Sequence, residues 1–428
     1  MERFRIAFLT IALVALASFT LVACGDDEES ETTTSGGAAA TTTAADGADA
    51  PAGDPIKVGS IVSATGPLAG SLGRSADVLT AWEKHTNAAG GINGHPVKVT
   101  TIDDGQNPAK GLAAAKKLIE EEGVVAIVGQ MSLVSASWEK YASDKGVPVV
   151  GGQPVDTPFM TNPNFFTSGS TLPALLYGEI ELTAKAGKKK ANVMYCAETP
   201  ICAQLEPILA GIGKMAGVEV TGQKISSTAP NYNAPCLAAK GKGAEALFVA
   251  VNSSVVPRVM ASCAKQGYKP LSVASSATTD KAWLDEPDLN GTVISATNAV
   301  YTDESVPGVK AFSEALDQYA PGLRDSKQFS FPLIYPWAGG ELFAKAAEAA
   351  KLTPESKPAD VVKGLYALEN ETLDGIAPPL NFVEGQPGFT PCYFPAEIAD
   401  GEFRSTSDNE PVCLPEDKAK QLAAAIGG

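Results

Sequence analysis

The sequence predicts an α/β protein that contains two similar bodies, each a parallel sheet flanked by helices. From Pro55 onwards, segments typical of strands alternate with segments typical of helices. The runs 124–128 and 246–251 are apolar throughout, as expected for strands that are buried on both faces of a parallel sheet. The alternation begins again near residue 188, which indicates a second body of the same plan.

Composition limits the possible functions. The chain has 428 residues, of which 44% are hydrophobic, so it can form a core in each of two or three domains. It carries 33 basic and 49 acidic side chains, a net charge of −16, and this balance argues against nucleic acid as a partner. The only histidines are His85 and His95. We therefore expect no metal centre and no cofactor.

The first 54 residues predict an export signal and a tether. Arg3 and Arg5 precede an uncharged, mostly apolar run at 6–23, so residues 1–23 are typical of a secretory signal peptide. An uncleaved membrane anchor is the alternative. The sequence Leu21-Val22-Ala23-Cys24 resembles a bacterial lipobox, which implies lipidation of Cys24 and an exported protein anchored to the cell membrane. Residues 24–54 then comprise this cysteine and a linker without large apolar side chains, which is predicted to be disordered.

The first body is predicted from alternating strands and helices. Gly90-Gly91 ends its first long helix, and Pro108 begins the next helix at its first turn. The predicted strands are 56–62, 97–102, 124–128 and 147–150, and the predicted helices are 75–88, 108–122 and 133–144.

The second body repeats this pattern and is followed by long helices. Its predicted strands are 191–195, 218–225, 246–251, 271–274 and 292–296, and its predicted helices are 202–216, 234–242 and 255–266. Further helices are predicted at 307–320, 333–350 and 358–369. The remainder of the chain is rich in glycine and proline and is predicted to form short strands and loops.

The seven cysteines suggest an oxidising compartment. Lipidation of Cys24 leaves six, which allow many pairings, and the sequence alone does not choose among them. Proximity favours Cys196 with Cys202, Cys236 with Cys263, and Cys392 with Cys413. A zinc cluster is the alternative, but the chain has no CxxC motif and almost no histidine.

Several motifs of the first body carry a family resemblance. The opening strand 56–61 with Ser63-Ala64-Thr65-Gly66-Pro67, the turn Gly90-Gly91-Ile92-Asn93-Gly94, Asp103-Asp104 before Pro108, and Val125-Ala126-Ile127-Val128-Gly129 resemble type I periplasmic binding proteins. Within these, the chain is similar to the leucine/isoleucine/valine-binding group of ABC-transporter solute receptors. The resemblance covers roughly residues 55–400 and does not specify the ligand.

The resemblance implies a fold of two Rossmann-like lobes joined by a three-crossing hinge, with a ligand cleft between them. Lobe 1 would comprise 55–168 plus 300–373, and lobe 2 would comprise 169–299 plus 374–428. Binding would close the cleft around a small solute, an amino acid or a related organic molecule. The expected partners are that solute and the permease and ATPase subunits of an ABC importer, with the binding protein itself a monomer.

The ligand-binding residues are expected where strands end, because parallel α/β sheets bind ligands at the carboxyl ends of their strands. An anionic group could be held by the N–H groups at 132–135 with a serine hydroxyl, although these serines could simply cap a helix. The candidates are Leu72, Met131, Ser132, Leu133, Ser135, Gln153, Pro154, Val155, Glu198, Asn252, Ser276 and Tyr301.

Several of these positions depart from the amino-acid-binding relatives. Leu133 stands where they usually have a serine, Leu72 where an aromatic residue is frequent, and Asn252 where they have a tyrosine. The acid that usually holds the amine falls near Ser276. Either Glu198 or Asp280 replaces that acid, or the ligand has no amine, since a buried ammonium needs a partner.

An enzyme and a sensor are the alternatives to a transport receptor. The chain has no GxSxG, HExxH or P-loop motif, so we expect no enzyme, and a secreted hydrolase is the weakest alternative. A ligand-sensing receptor subunit of a signalling system would need the same cleft. The sequence does not separate transport from sensing.

Overall fold

The computed structural model of the chain describes residues 51–66, 69–197 and 200–426. The predicted leader, Cys24 and nearly all of the predicted linker lie outside the described residues, as does Glu198. Within the described ranges, no helix combines the length and apolar character needed to cross a membrane.

The first sheet has five parallel strands in the order β2-β1-β3-β4-β5. Strands β3 and β4 are buried along their whole length, as expected at the centre of a sheet covered on both faces. The strands are β1 (Ile56–Val62), β2 (Val97–Asp103), β3 (Ile127–Gln130), β4 (Val149–Gly152) and β5 (Phe165–Phe166).

Helices cover both faces of this sheet, and together they form the first lobe. They are α1 (Ala69–Leu72), α2 (Ser75–Ala88), α3 (Pro108–Lys116), α4 (Glu139–Asp144) and α5 (Pro158–Thr161), joined later in the chain by α10 (Pro307–Tyr319), α11 (Ile334–Ala349) and α12 (Pro358–Tyr366). Helix α11 packs on β3 and β4. A methyl group at Gly339 would lie 2.7 Å from the Cα atom of Gly129, so glycine allows this close approach.

The second sheet follows the order β12-β11-β10-β9-β8-β6-β7, with β13 paired to β11. Its strands are β6 (Lys190–Cys196), β7 (Glu219–Ile225), β8 (Ala246–Ala250), β9 (Leu271–Ser275), β10 (Val293–Ala296), β11 (Cys392–Ala399), β12 (Glu402–Ser405) and β13 (Val412–Cys413). Strands β6 to β10 pair in parallel, whereas β11, β12 and β13 join antiparallel.

The second lobe is this sheet with the helices that pack against it. Helices α6 and α7 contact each other on one face, where α13 packs against both, and α8 and α9 pack together. The helices are α6 (Leu172–Lys185), α7 (Leu205–Ala216), α8 (Asn233–Gly241), α9 (Val256–Lys265) and α13 (Glu416–Ile426).

In the described residues three connections join the lobes, at 167–171, 297–306 and 367–391. The first two are hydrogen-bonded to each other. The amide of Ser170 donates to the carbonyl of Thr297 at 2.9 Å, and Asn298 Nδ2 donates to the carbonyl of Ser168 at 2.9 Å. The third passes beside them, since a methyl group at Gly388 would lie 3.3 Å from Thr167. The connections therefore lie side by side.

The fold class predicted from the sequence is confirmed, and so are the three disulfides, Cys196–Cys202, Cys236–Cys263 and Cys392–Cys413. Some element boundaries were wrong. Strand β3 begins three residues later than predicted and β4 two residues later. Both strands also end two residues later than predicted, because Gln130 pairs with Gly152 beyond the apolar runs. The C-terminal helix α13 was not predicted.

The helix predicted at 133–144 is also a correction. The structure has a 3-10 turn at Ser135–Ser137, and α4 begins only at Glu139. The hydroxyls of Ser132 and Ser135 are bonded to buried carboxylates, and these bonds hold the chain in a loop before the helix.

Candidate functional site

The carboxyl edge of the first sheet brings several predicted residues together around Asp104. This carboxylate is fully buried just after β2. It accepts hydrogen bonds from Ser63 Oγ and from the amide of Gln106, each at 2.8 Å, and from Ser132 Oγ. Three elements are joined by one carboxylate, which stabilises the edge of the sheet.

A second buried carboxylate, Asp156, lies beside the first on the loop after β4. It accepts hydrogen bonds from Ser135 Oγ and, at 3.4 Å, from Gln130 Nε2. Burial raises the pKa of Asp156 to about 7, although these hydrogen bonds act in the opposite direction. The carboxyl group is therefore shared between neutral and charged forms near neutral pH.

These two carboxylates change the interpretation of Ser132 and Ser135. Both hydroxyls donate to carboxylates, and the amide of Ser132 donates to Gln130 Oε1 at 2.8 Å. An anion here would meet two acidic groups, so the expected anion-binding role of residues 132–135 finds no support. The remaining residues of this edge differ in exposure: Met131, Gln153 and Pro154 are buried, Val155 is partly exposed, and Leu133 is exposed.

The predicted residues of the second lobe are scattered. Ser276 is buried and lies 2.9 Å from the hydroxyl of Tyr335 on α11, so it forms a direct contact between the lobes. Asn252 is exposed after β8. Asp280 caps the turn that follows it, accepting from the amide of Ala282 at 2.9 Å. Asp280 therefore has a structural role in the loop after β9.

Tyr301 and Leu72 lie in apolar surroundings. Tyr301 is fully buried against the rings of Phe329 and Phe331, 4.9 and 4.8 Å away between ring centres. Its hydroxyl donates to the carbonyl of Phe329 at 3.1 Å. Leu72 is 2% exposed at the end of α1. Both side chains are part of the core in this structure.

A charged cavity of about 750 Å³ lies beside Tyr301. Its arginines are already paired: Arg324 with Glu304 and Asp317, and Arg404 with Glu402. Exposed ion pairs of this kind contribute little to stability, and they leave few free charges for a ligand.

A different cavity, of about 170 Å³, lies over the carboxyl ends of β8 and β9. Leu176 on α6, Leu209 on α7 and Phe248 on β8 line this cavity. Val155 of the first lobe completes the lining. The cavity is therefore bounded by both lobes at the edge where the ligand site was expected.

Among the described residues, Glu179 on α6 is the only ionisable side chain that lines this cavity. It is 7% exposed, and its carboxyl group has no hydrogen bond or ion pair with any other described residue. Burial alone raises the pKa of Glu179 to about 8. The carboxyl group is therefore mostly neutral at pH 7 while the cavity is empty.

A wider cavity of about 630 Å³ adjoins the small one, and Leu172, Leu176 and Leu205 line both. The wider cavity also has walls from both lobes, with Met160 on α5 and Phe389 on the third connection. Its size lies within the usual range for sites that hold small organic molecules.

Sequence reasoning missed Glu179. The segment Leu172–Leu182 is apolar around nearly its whole circumference, which indicates a helix buried on most sides. An acid inside such a helix is a candidate for a buried carboxyl group, and this signal could have identified it. No group of three or more metal-ligating side chains that could hold a metal ion occurs in the described part of the chain.

Comparison with known proteins identifies relatives of the chain. A family model described as "Periplasmic binding protein" matches residues 55–402. An "Amino acid binding protein" from Pseudomonas aeruginosa is 26% identical over 175 residues, which are 38% of this chain. The match spans only 44% of that relative's length.

Solved structures share the fold at low sequence identity. A leucine-binding protein from Thermotoga maritima has a TM-score of 0.68 at 14% identity, covering 85% of this chain and 99% of its own. A fatty acid ABC transporter substrate-binding protein from Thermomonospora curvata has a TM-score of 0.68 at 16% identity, covering 86% and 94%. The two neighbours have different ligands in their names, so the shared fold leaves the ligand open.

Proposed function

The chain belongs to the periplasmic binding protein family, and from that premise we propose that it captures a small organic solute between its lobes for an ABC importer. The family and its structural neighbours are binding proteins rather than enzymes. The observation that supports the proposal most is the cavity lined by Val155 of the first lobe and by α6, α7 and the ends of β8 and β9 of the second.

The three side-by-side connections are suited to a hinge. Between the described residues, few hydrogen bonds join the lobes outside the connections, and Ser276 with Tyr335 is one such contact. Rotation about residues 167–171 and 297–300 would bring the loop after β4 towards α6 and α7. We propose that closure buries the solute, with lobes bounded at 55–168 plus 300–373 and 169–299 plus 374–428.

The proposed ligand is an amino acid or a related small organic molecule. Of the residues expected to bind it, Val155 lines the cavity, while Gln153, Pro154 and Ser276 lie on the facing edges. The side-chain oxygen of Gln153 is buried without a hydrogen-bond partner in the described residues, and it would reach a ligand donor only if the lobes moved.

The site of action is proposed to be the outer face of the cell membrane. Lipidation of Cys24 would anchor the protein to the membrane ahead of its two lobes. The binding protein would then act as a monomer and deliver its solute to separate permease and ATPase subunits.

Thermal unfolding tests the proposal. The purified full-length protein, refolded to remove any bound solute with its disulfides intact, would be heated with amino acids, amides, amines, carboxylic acids and aromatic acids. A solute at about 100 times its Kd adds about 2.7 kcal/mol to the free energy of unfolding. We expect the melting temperature to rise by roughly 5–10 °C for one class of solute.

A cavity-filling variant makes the test specific to the site. Ala277→Phe places a ring at the mouth of the cavity and should abolish the shift, whereas Ala109→Phe, on the exposed surface of α3, should leave it unchanged. If the solute raises the melting temperature of both variants equally, it binds at a site other than this cavity. Failure of every solute class to bind the refolded wild type would overturn the proposed function.

A further inference from the structure

One face of α6 forms the inner wall of both cavities. Leu172, Leu176 and Glu179 are spaced by four and three residues, so they lie on one side of the helix. Gly178 allows α6 to lie against the sheet, since a methyl group there would be 2.3 Å from Ser295 Oγ on β10. The helix therefore places Glu179 in the lining of the small cavity, beside the wider one. These two adjoining cavities are together called the channel.

The charged groups near α6 point elsewhere. On α6 itself, Glu181 accepts from Tyr393 of β11, and Lys185 pairs with Glu181. On α13, Lys418 Nζ donates a hydrogen bond to the Tyr177 hydroxyl. On α7, Glu206 accepts hydrogen bonds from the Tyr195 hydroxyl and from the amide of Gly222. Strands β8, β9 and β10 have no ionisable side chain. No described cation therefore neutralises Glu179.

An unpartnered carboxyl group in an apolar cavity is complementary to one kind of ligand. We infer that the channel binds an amine with an elongated apolar body, whose ammonium group pairs with Glu179. This inference rests on the proposed function, because it takes the captured solute to be the occupant. The net charge of −16 also favours a cation as it approaches the protein.

Binding is coupled to ionisation of Glu179. The empty site holds a neutral carboxyl group at pH 7, because burial raises the pKa to about 8. An ammonium group stabilises the carboxylate, so binding expels the carboxyl proton to solvent. The affinity for an alkylamine should rise about tenfold per pH unit below pH 8 and level off above it, since the amine itself stays charged to about pH 10.

The apolar part of the channel makes affinity depend on chain length. Each methylene group that leaves water contributes about 0.8 kcal/mol, which is about fourfold in affinity. The 170 Å³ cavity adjoins the 630 Å³ cavity at Leu172, Leu176 and Leu205, and a longer chain would extend past these side chains into the wider cavity. Affinity should therefore rise from n-butylamine to n-hexylamine by roughly sixteenfold.

Isothermal titration of the full-length protein tests this inference with n-butylamine, n-hexylamine, n-hexanol and hexanoate as probes. We expect n-hexylamine to bind best, with nearly one proton released at pH 6.5 and less at pH 9, measured in two buffers of different ionisation enthalpy. Glu179→Gln should weaken n-hexylamine at least tenfold at pH 8 and remove the proton release. The matched control Glu181→Gln, which makes the same chemical change on another face of α6, should do neither.

The outcomes separate this inference from the function on which it rests. Tighter binding of hexanoate or n-hexanol than of n-hexylamine would overturn the amine while leaving a solute-binding protein. Amine binding that is unchanged in Glu179→Gln, or is independent of pH between 6 and 8, would overturn the role of Glu179. If other solutes bind but no amine does, the role of Glu179 is likewise overturned. If Glu179→Gln does not unfold cooperatively, the pH profile and proton release of the wild type decide alone.

Discussion

Asp104 in the first lobe and Glu179 in the second are both buried carboxyl groups, but their surroundings differ completely. Asp104 accepts hydrogen bonds from Ser63, Ser132 and the amide of Gln106, whereas Glu179 has no partner in the described structure. A buried acid that is fully bonded joins elements of the fold. A buried acid without partners costs stability, and we infer that a ligand in the adjoining cavity supplies the partner of Glu179.

The largest effect is expected for Asp104→Ala. The substitution leaves two buried hydroxyls and one amide without an acceptor, and we expect a loss of about 4 kcal/mol in the free energy of unfolding. Asp104→Asn keeps one oxygen acceptor and should lose less. Urea denaturation measures both. Equal, small losses would contradict a structural role for Asp104.

In the absence of ligand, Glu179→Gln is expected to increase the free energy of unfolding, whereas Asp104→Ala decreases it. Glu179 has a folded-state pKa raised to about 8 from 4.5, so wild-type stability is lost as pH rises from about 4.5 to 8. The variant should avoid this loss and be more stable by about 3 kcal/mol at pH 7, with little difference at pH 4. Urea denaturation at both pH values tests the sign. A variant that is less stable at pH 7 would show that the carboxyl group has a partner.

A smaller effect is expected for Gly178→Ala. The added methyl group would meet Ser295 and Tyr393, so α6 must move away from β10. Overpacking should cost about 2 kcal/mol of unfolding free energy, and solute affinity should fall because Leu176 and Glu179 move with the helix. Gly211→Ala on α7, where a methyl group meets nothing within 4 Å, is the control and should be neutral or slightly stabilising.

The smallest effect is expected for Ser135→Ala. Loss of one hydrogen bond to Asp156 should cost about 1 kcal/mol. Because that bond lowers the pKa of Asp156, its removal should raise the pKa above its present value of about 7. NMR titration of the Asp156 carboxyl carbon measures the change. A lowered pKa would mean that Ser135 does not donate to this carboxylate.

Much of the fold followed from local patterns. Apolar runs predicted β8, glycine and proline predicted where helices end and begin, and proximity in the chain predicted all three disulfides. The boundaries of β3 and β4 were less accurate, because polar Gln130 and the glycines of β4 are strand residues only through their pairing. Local composition has no information about that pairing.

The residues predicted to bind a ligand remain predictions, and the structure brings only some of them together. The rule that ligands lie at strand ends identified Val155 and the neighbourhood of β8 and β9. It also selected Ser132 and Ser135, which donate to buried carboxylates. The rule selects loops, whereas Glu179 lies in the middle of a helix.

The sequence by itself determined the two α/β bodies, their alternating elements and the disulfide pairs, since these depend on periodicity and on residues near one another in the chain. Only the tertiary structure decided which buried acids have partners. Asp104 and Ser63 are 41 residues apart, and Glu179 faces a cavity formed by two helices, two strands and a loop from the other lobe. Whether a carboxyl group is bonded or free depends on such distant contacts, and local sequence cannot specify them.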